Sequence, residues 1–148
     1  MQTTLNWRPY HREQLPPLWR DWLGIRGSLT KALEEKGGQS CIVTVHREGY
    51  DYPLKAHWVR EVTLSQQRPL VHARSVLPRA LIEASPEFAQ LGTTALGRLL
   101  FSHDPNIYRG VIEVAQQADG LWARRSCFQV RMHAVWVYEV FLDAVALL

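Results

Sequence analysis

HWVREVTL, residues 57–64, is the stretch on which the fold turns. Its residues alternate as they do on a half-buried strand. Trp58, Arg60, Val62 and Leu64 share one face; Val59, Glu61 and Thr63 share the other. The first face is apolar except for Arg60. A guanidinium turned toward a core loses its hydration, which is costly unless an anion replaces the water. The remaining sequence must therefore supply an anion for Arg60, or leave room for one. A structural ion pair, a strand end reaching solvent and a bound ligand are all open on this stretch alone.

The flanking segments place this strand in a sheet. CIVTVHREGY (41–50) is rich in β-branched residues and predicts a strand. A short connection, Asp51 to Ala56, contains Pro53. Gln66 to Pro69 reads as a hairpin turn, and Leu70 to Pro78 as a third strand, so these three form an antiparallel meander. Residues 1 to about 13 read as a loose lead-in. Leu15, Leu18, Trp19, Trp22 and Leu23 then recur at helical spacing, and Gly24 and Gly27 break that helix. Ser28 caps a second helix from Leu29 to about Lys36, ended by Gly37-Gly38.

Beyond the meander, Ser85-Pro86 opens a short helix to about Leu91, and Gly92 stops it. Thr93 or Thr94 caps another, Ala95 to Phe101. Strands return at Ile107–Ala115, Leu121–Met132 and Ala134–Leu142. Helices inserted in blocks between runs of strands predict α+β: one domain, residues 1–148, with a roughly six-stranded antiparallel sheet and a helical insertion over one face. Such an insertion covers either a ligand or simply the core.

Composition narrows the function. With 148 residues, 47% of them hydrophobic and 21% charged, the chain can build one ordinary core. The net charge of +3 suits an anionic ligand but is too small to argue for nucleic acid. No apolar run approaches the roughly 20 residues of a membrane span, and the first residues show no apolar signal core, so a cytoplasmic protein is expected. The six histidines have no metal-ligand spacing, so no metal is expected. Cys41 and Cys127 are far apart in sequence and read as free thiols. GxSxG, P-loop and GxGxxG motifs are absent.

A second charge lies on the last strand. In AVWVYEVFL (134–142), Glu139 shares a face with Val135, Val137 and Phe141, and the opposite face is apolar too. Glu139 is therefore predicted to be buried. Without a partner, such a carboxyl would have a raised pKa. Either Glu139 pairs with Arg60, or the two stand at opposite ends of a pocket for a small polar ligand. Arg74, Arg109, Arg124 and Arg125 also sit within strands, and one of Arg124 and Arg125 must point inward. The helix starts at Leu29 and Leu96 add backbone N–H groups suited to a carboxylate.

The ordered set SLTK (28–31), VHREGY (45–50), WVREV (58–62), ARSVLP (73–78), LGTTALGRLLF (91–101), GLWARRS (120–126) and YEVFL (138–142) resembles the chorismate pyruvate-lyase family. The resemblance spans nearly everything from about Leu18 onward. It implies a cofactor-free enzyme that cleaves chorismate to 4-hydroxybenzoate and pyruvate, the first committed step toward ubiquinone, under helical flaps that close over a buried product. The family's ligand-binding arginine falls on Arg60, and its carboxylate partner for the product hydroxyl on Glu139. Its two main-chain contacts fall on Leu29 and Leu96. The family often has Met at the Leu29 position, and the connection at 51–56 is shorter here than is usual. A monomer acting on these small molecules, without nucleic acid, is expected. Arg109, Arg124 and Arg125 are the unranked candidates for the second chorismate carboxylate. The competing expectation is a non-catalytic binding module of the same fold, either an effector sensor or a 4-hydroxybenzoate carrier. The sensors normally follow a helix-turn-helix domain, and too few residues precede the sheet here for one.

Overall fold

The computed structural model describes residues 5–148. The first four residues of the expected lead-in lie outside this range. The chain runs through β1 (Arg8–Pro9), α1 (Pro17–Leu23), α2 (Leu29–Gly37), β2 (Ile42–Tyr50), β3 (His57–Ser65), β4 (Pro69–Pro78), α3 (Arg79–Ala84), α4 (Gly97–Leu100), β5 (Ile107–Gln116), β6 (Trp122–Val130) and β7 (His133–Phe141). The strands form one open sheet in the order β1-β5-β6-β7-β4-β3-β2. Every neighbouring pair is antiparallel. The expected meander is β2–β3–β4; a second, β5–β6–β7, joins it along β4 and β7. The fold is α+β with seven strands rather than six. The extra strand comes from the lead-in, where two residues pair with Val114 and Glu113.

The helices depart from expectation in ways that local chemistry explains. Ser28 does cap α2: its Oγ accepts from the Lys31 N–H at 3.2 Å. Gly38 ends α2 with φ +73°, the left-handed conformation that favours glycine. Gly38→Ala is expected to cost about 1 kcal/mol, read from the urea midpoint, with activity unchanged. Ser85 caps nothing; its hydroxyl accepts from Arg131 at 2.7 Å, and only a 3₁₀ turn, Pro86–Ala89, follows. Neither Thr93 nor Thr94 caps α4, which is a single turn preceded by Leu96. Three short helical elements escaped prediction: α3 and two 3₁₀ turns, at Arg12–Gln14 and Asp143–Leu147. No helix among the described residues is long and apolar enough to cross a membrane.

Two bulges reset which side chains face inward. The register of β2 against β3 shifts between Val45 and Arg47. The register of β5 against β6 shifts between Arg109 and Ile112. An extra residue in one strand reverses the alternation beyond it. As a result Glu48 lies opposite Arg60, and Arg109 lies opposite Phe128, on the same sheet face as Ile112 and Val114.

That face carries two apolar clusters. One joins Leu23, Leu29, Leu33, Val71, Val114 and Phe141; the other joins Leu77, Leu81, Phe88, Leu96, Phe128 and Val135. Between them lies a layer of buried polar groups: Arg60, Ser75, Arg124, Ser126 and Glu139. Desolvating such ions costs several kcal/mol each. The flanking clusters offset that cost, at about 1.5–3 kcal/mol for each fully buried large apolar side chain.

Candidate active site

The polar layer surrounds a small cavity of about 70 Å³. Its floor is the sheet and its roof is the start of α2 with the segment leading into α4. Leu29, Arg60, Leu96 and Glu139 all line it, so the structure brings the four sequence-derived positions together. Arg109 and Arg124 line it as well, whereas Arg74 and Arg125 do not.

Small residues on β4 make the space. Ala73 lies between Val62 and Glu139, and Ser75 between Arg60 and Val137. Both line the cavity. Arg60 and Glu139 thus stand on either side of β4, two strand spacings apart and two residues out of register. Standard sheet dimensions put their Cα atoms about 12 Å apart. Their side chains converge over the short β4 side chains and leave a gap between them. No Arg60–Glu139 contact appears among the ion pairs of the described residues.

Each charge has its own partner. Arg60, 3% exposed, donates through Nη1 to Glu48 Oε2 at 3.1 Å. Its Nη2 donates to the carbonyls of Gly92 at 3.0 Å and Thr94 at 2.9 Å. These last two bonds tie the segment before α4 to the sheet. Glu48 is the residue that sequence reasoning missed. Regular alternation from Val43 and Val45 puts Arg47, not Glu48, on this face, and only the bulge corrects it.

Glu139 is not the partnerless carboxyl considered above. Arg124 lies directly across from it on β6 and donates through Nε at 2.8 Å. Arg124 is fully buried and also donates to the Leu23 and Ile25 carbonyls at 3.1 and 2.7 Å. Arg109 Nη2 stands 3.8 Å from the same Glu139 oxygen. Arg109 further donates to Ser126 Oγ at 2.9 Å and to the carbonyls of Ile25 and Arg26 at 3.2 and 3.1 Å. Its guanidinium lies 4.9 Å from the centre of the Phe128 ring. Burial first, and then the neighbouring Arg124, push the Arg109 pKa down to about 10; Glu139 works in the opposite direction. Arg109 thus stays charged at neutral pH. The link between α1 and α2 is bolted through its carbonyls to both arginines, which fixes where Leu29 begins its helix.

Arg125 and Arg74 belong to the other sheet face, which corrects their candidacy. Arg125 pairs with Glu113 at 2.8 Å and packs on Trp7 and Trp136. Arg74 sits 3.6 Å from Glu61 and over Tyr138. The cysteines are free and partly buried. Burial, and then Glu34, push the Cys41 thiol up to about 11, far from a reactive thiolate. No cluster able to hold a metal ion occurs among the described residues.

The cavity presents one cation at one end, a carboxylate flanked by two guanidinium groups at the other, and an apolar wall at Val137 and Phe128. As the first residue of α2, Leu29 has a backbone N–H without an intrahelical acceptor. This arrangement suits a flat ring with a carboxylate at one end and a hydroxyl at the other.

Comparison with known proteins gives the same direction. The chorismate lyase family profile matches residues 1–147. A relative from Pseudomonas aeruginosa (strain UCBPP-PA14), named "Probable chorismate pyruvate-lyase", is 39% identical, covering 86% of this chain and 85% of the relative. One of the same name from Pseudomonas syringae pv. syringae (strain B728a) is also 39% identical, with 90% and 86% covered. "Chorismate pyruvate-lyase" from Escherichia coli O9:H4 (strain HS) is 34% identical, with 88% and 86% covered. The chain belongs to the chorismate lyase family.

Proposed function

We propose that this cavity is the active site of a chorismate pyruvate-lyase, with Arg60 and Glu139 gripping opposite ends of one ring. Family membership supports the activity, the conversion of chorismate to 4-hydroxybenzoate and pyruvate on the route to ubiquinone. The observation that carries the site assignment is the gap between Arg60 and Glu139, each of which is held by its own partner and not by the other. In this reading, residues 1–148 act as one lyase unit, a cytoplasmic monomer that handles small molecules only.

Arg60 binds the ring carboxylate, for which a guanidinium offers a planar, charge-assisted fork. The N–H groups of Leu29 and Leu96 converge on the same carboxylate. Glu139, oriented by Arg124, accepts a hydrogen bond from the ring hydroxyl. The reaction breaks the ether bond to the enolpyruvyl group. It also removes the hydrogen from the neighbouring ring carbon, the one bearing the hydroxyl. The ring becomes aromatic, and the departing three-carbon unit gains that hydrogen and becomes pyruvate. Aromatisation drives the step. The protein holds the side chain in a reactive arrangement and keeps water away, so no cofactor is required. The roof segment tied to Arg60 must open for the product to leave, and release limits turnover.

The test mixes purified protein with chorismate and measures 4-hydroxybenzoate and pyruvate. Equal amounts of both products support the assignment; binding of 4-hydroxybenzoate with no chorismate consumed supports the carrier alternative instead. A smaller change tests the main-chain contact. Leu29→Met should keep kcat/KM within about threefold of the parent, because it preserves the N–H and nearly the same volume. A loss of 100-fold would show that the Leu29 side chain itself is required.

A further inference from the structure

We propose that Arg109 holds the second, side-chain carboxylate of chorismate, and is thereby the residue that distinguishes substrate from product. The proposal rests on the active-site reading above. Chorismate carries two carboxylates, whereas 4-hydroxybenzoate keeps only the one on the ring. With the ring carboxylate at Arg60 and the hydroxyl at Glu139, the enolpyruvyl ether sits on the carbon beside the hydroxyl. Its carboxylate therefore lies at the Glu139 end and needs a cation there.

Three observations select Arg109 over its neighbours. The first is the bulge in β5 between Arg109 and Ile112. Regular alternation would turn Arg109 away from the face that carries Ile112 and Val114; the extra residue turns it toward the cavity. The second is charge. Arg109 and Arg124 share a single carboxylate, Glu139, so one positive charge has no contact counter-ion among the described residues. Arg124 is answered directly, at 2.8 Å; Arg109 is not, because its nearest carboxylate oxygen lies at 3.8 Å, beyond hydrogen-bond reach. The third is anchorage. Ser126, the Ile25 and Arg26 carbonyls and the Phe128 ring fix the guanidinium through Nε, Nη1 and its face. Nη2, whose nearest anionic neighbour is Glu139, is the nitrogen left to meet a ligand. A bound carboxylate at that point balances the local charge, and nothing balances it once pyruvate has gone.

The experiment measures two quantities on the full chain: kcat/KM for chorismate and Kd for 4-hydroxybenzoate, in the parent, Arg109→Gln and Arg109→Lys. Arg109→Gln should lower kcat/KM on the order of 100-fold while leaving the product Kd within about threefold. Arg109→Lys keeps the charge and should recover part of the loss. The product measurement is decisive because Arg109 also supports the α1–α2 link and, through it, Leu29. A merely structural role would weaken substrate and product together, and that result overturns the proposal. Unchanged chorismate kinetics in Arg109→Gln overturns it as well. Failure of the parent protein to consume chorismate refutes the underlying function instead.

Discussion

Glu139→Ala is expected to lower kcat/KM for chorismate by about 1000-fold and stability by about 3–5 kcal/mol. The two losses share a cause. Glu139 is the only carboxylate within 4 Å of either Arg109 or Arg124 among the described residues, and Arg124 is fully buried. Removing it leaves two guanidinium groups facing each other without an anion. Like charges a few ångströms apart in a poorly hydrated site repel strongly, and water cannot enter freely to screen them. A domain of this size has a total stability of about 5–15 kcal/mol, so the alanine variant stands close to its limit. Glu139→Gln keeps the shape and one acceptor oxygen while losing the charge. It should fold better than the alanine variant and still turn over slowly, because a neutral amide neither holds the hydroxyl as firmly nor stays oriented by Arg124. Urea titration reads stability and product formation reads activity. Full activity in both variants contradicts the role given to Glu139.

The second large effect belongs to Arg60. Arg60→Ala should weaken 4-hydroxybenzoate binding and lower kcat/KM by 100-fold or more, about 3 kcal/mol, the loss typical of truncating one partner of a buried charge pair. It also frees the Gly92 and Thr94 carbonyls and removes the cation that Glu48 accepts from, so the roof loses its tie to the sheet. Arg60→Lys retains charge but not the fork and should recover only part of the binding. Phenol separates the two roles, since it has the hydroxyl and lacks the carboxylate. If Arg60 acts on the carboxylate, phenol binds parent and variant alike, while 4-hydroxybenzoate does not. Equal weakening of both ligands would assign Arg60 to the roof alone.

The site was half legible in the sequence, and the reason is alternation. Arg60 and Glu139 sit in stretches of unbroken period two, so the direction of Arg60 follows from its apolar face and the burial of Glu139 from a strand that is apolar on both faces. Glu48 and Arg109 sit beyond bulges, where the same counting points them outward; nothing local in VHREGY or IYRGVIEV announces the extra residue. Gly110 marks the second bulge in hindsight, because a side chain there would meet the Cys127 carbonyl. The strands of both meanders were readable because β-branched runs alternate with turn residues. The two-residue β1 was not, since its pairing with β5 is a long-range event with no local pattern. The helix α3 follows Pro78 directly, has no side-chain cap and spans six residues, too few to show a period. Ser28 and Gly38, by contrast, fixed α2 at both ends because each acts through its own chemistry.

The central claim is that Arg60 and Glu139 hold the two ends of one ring. A crystal structure of the protein with 4-hydroxybenzoate tests it most directly. The carboxylate should lie within hydrogen-bond distance of the Arg60 guanidinium and the Leu29 and Leu96 N–H groups, with the hydroxyl on Glu139. The opposite orientation, with the carboxylate at Arg109 and Arg124 and the hydroxyl toward Arg60, would contradict the account, as would a ring bound outside the cavity.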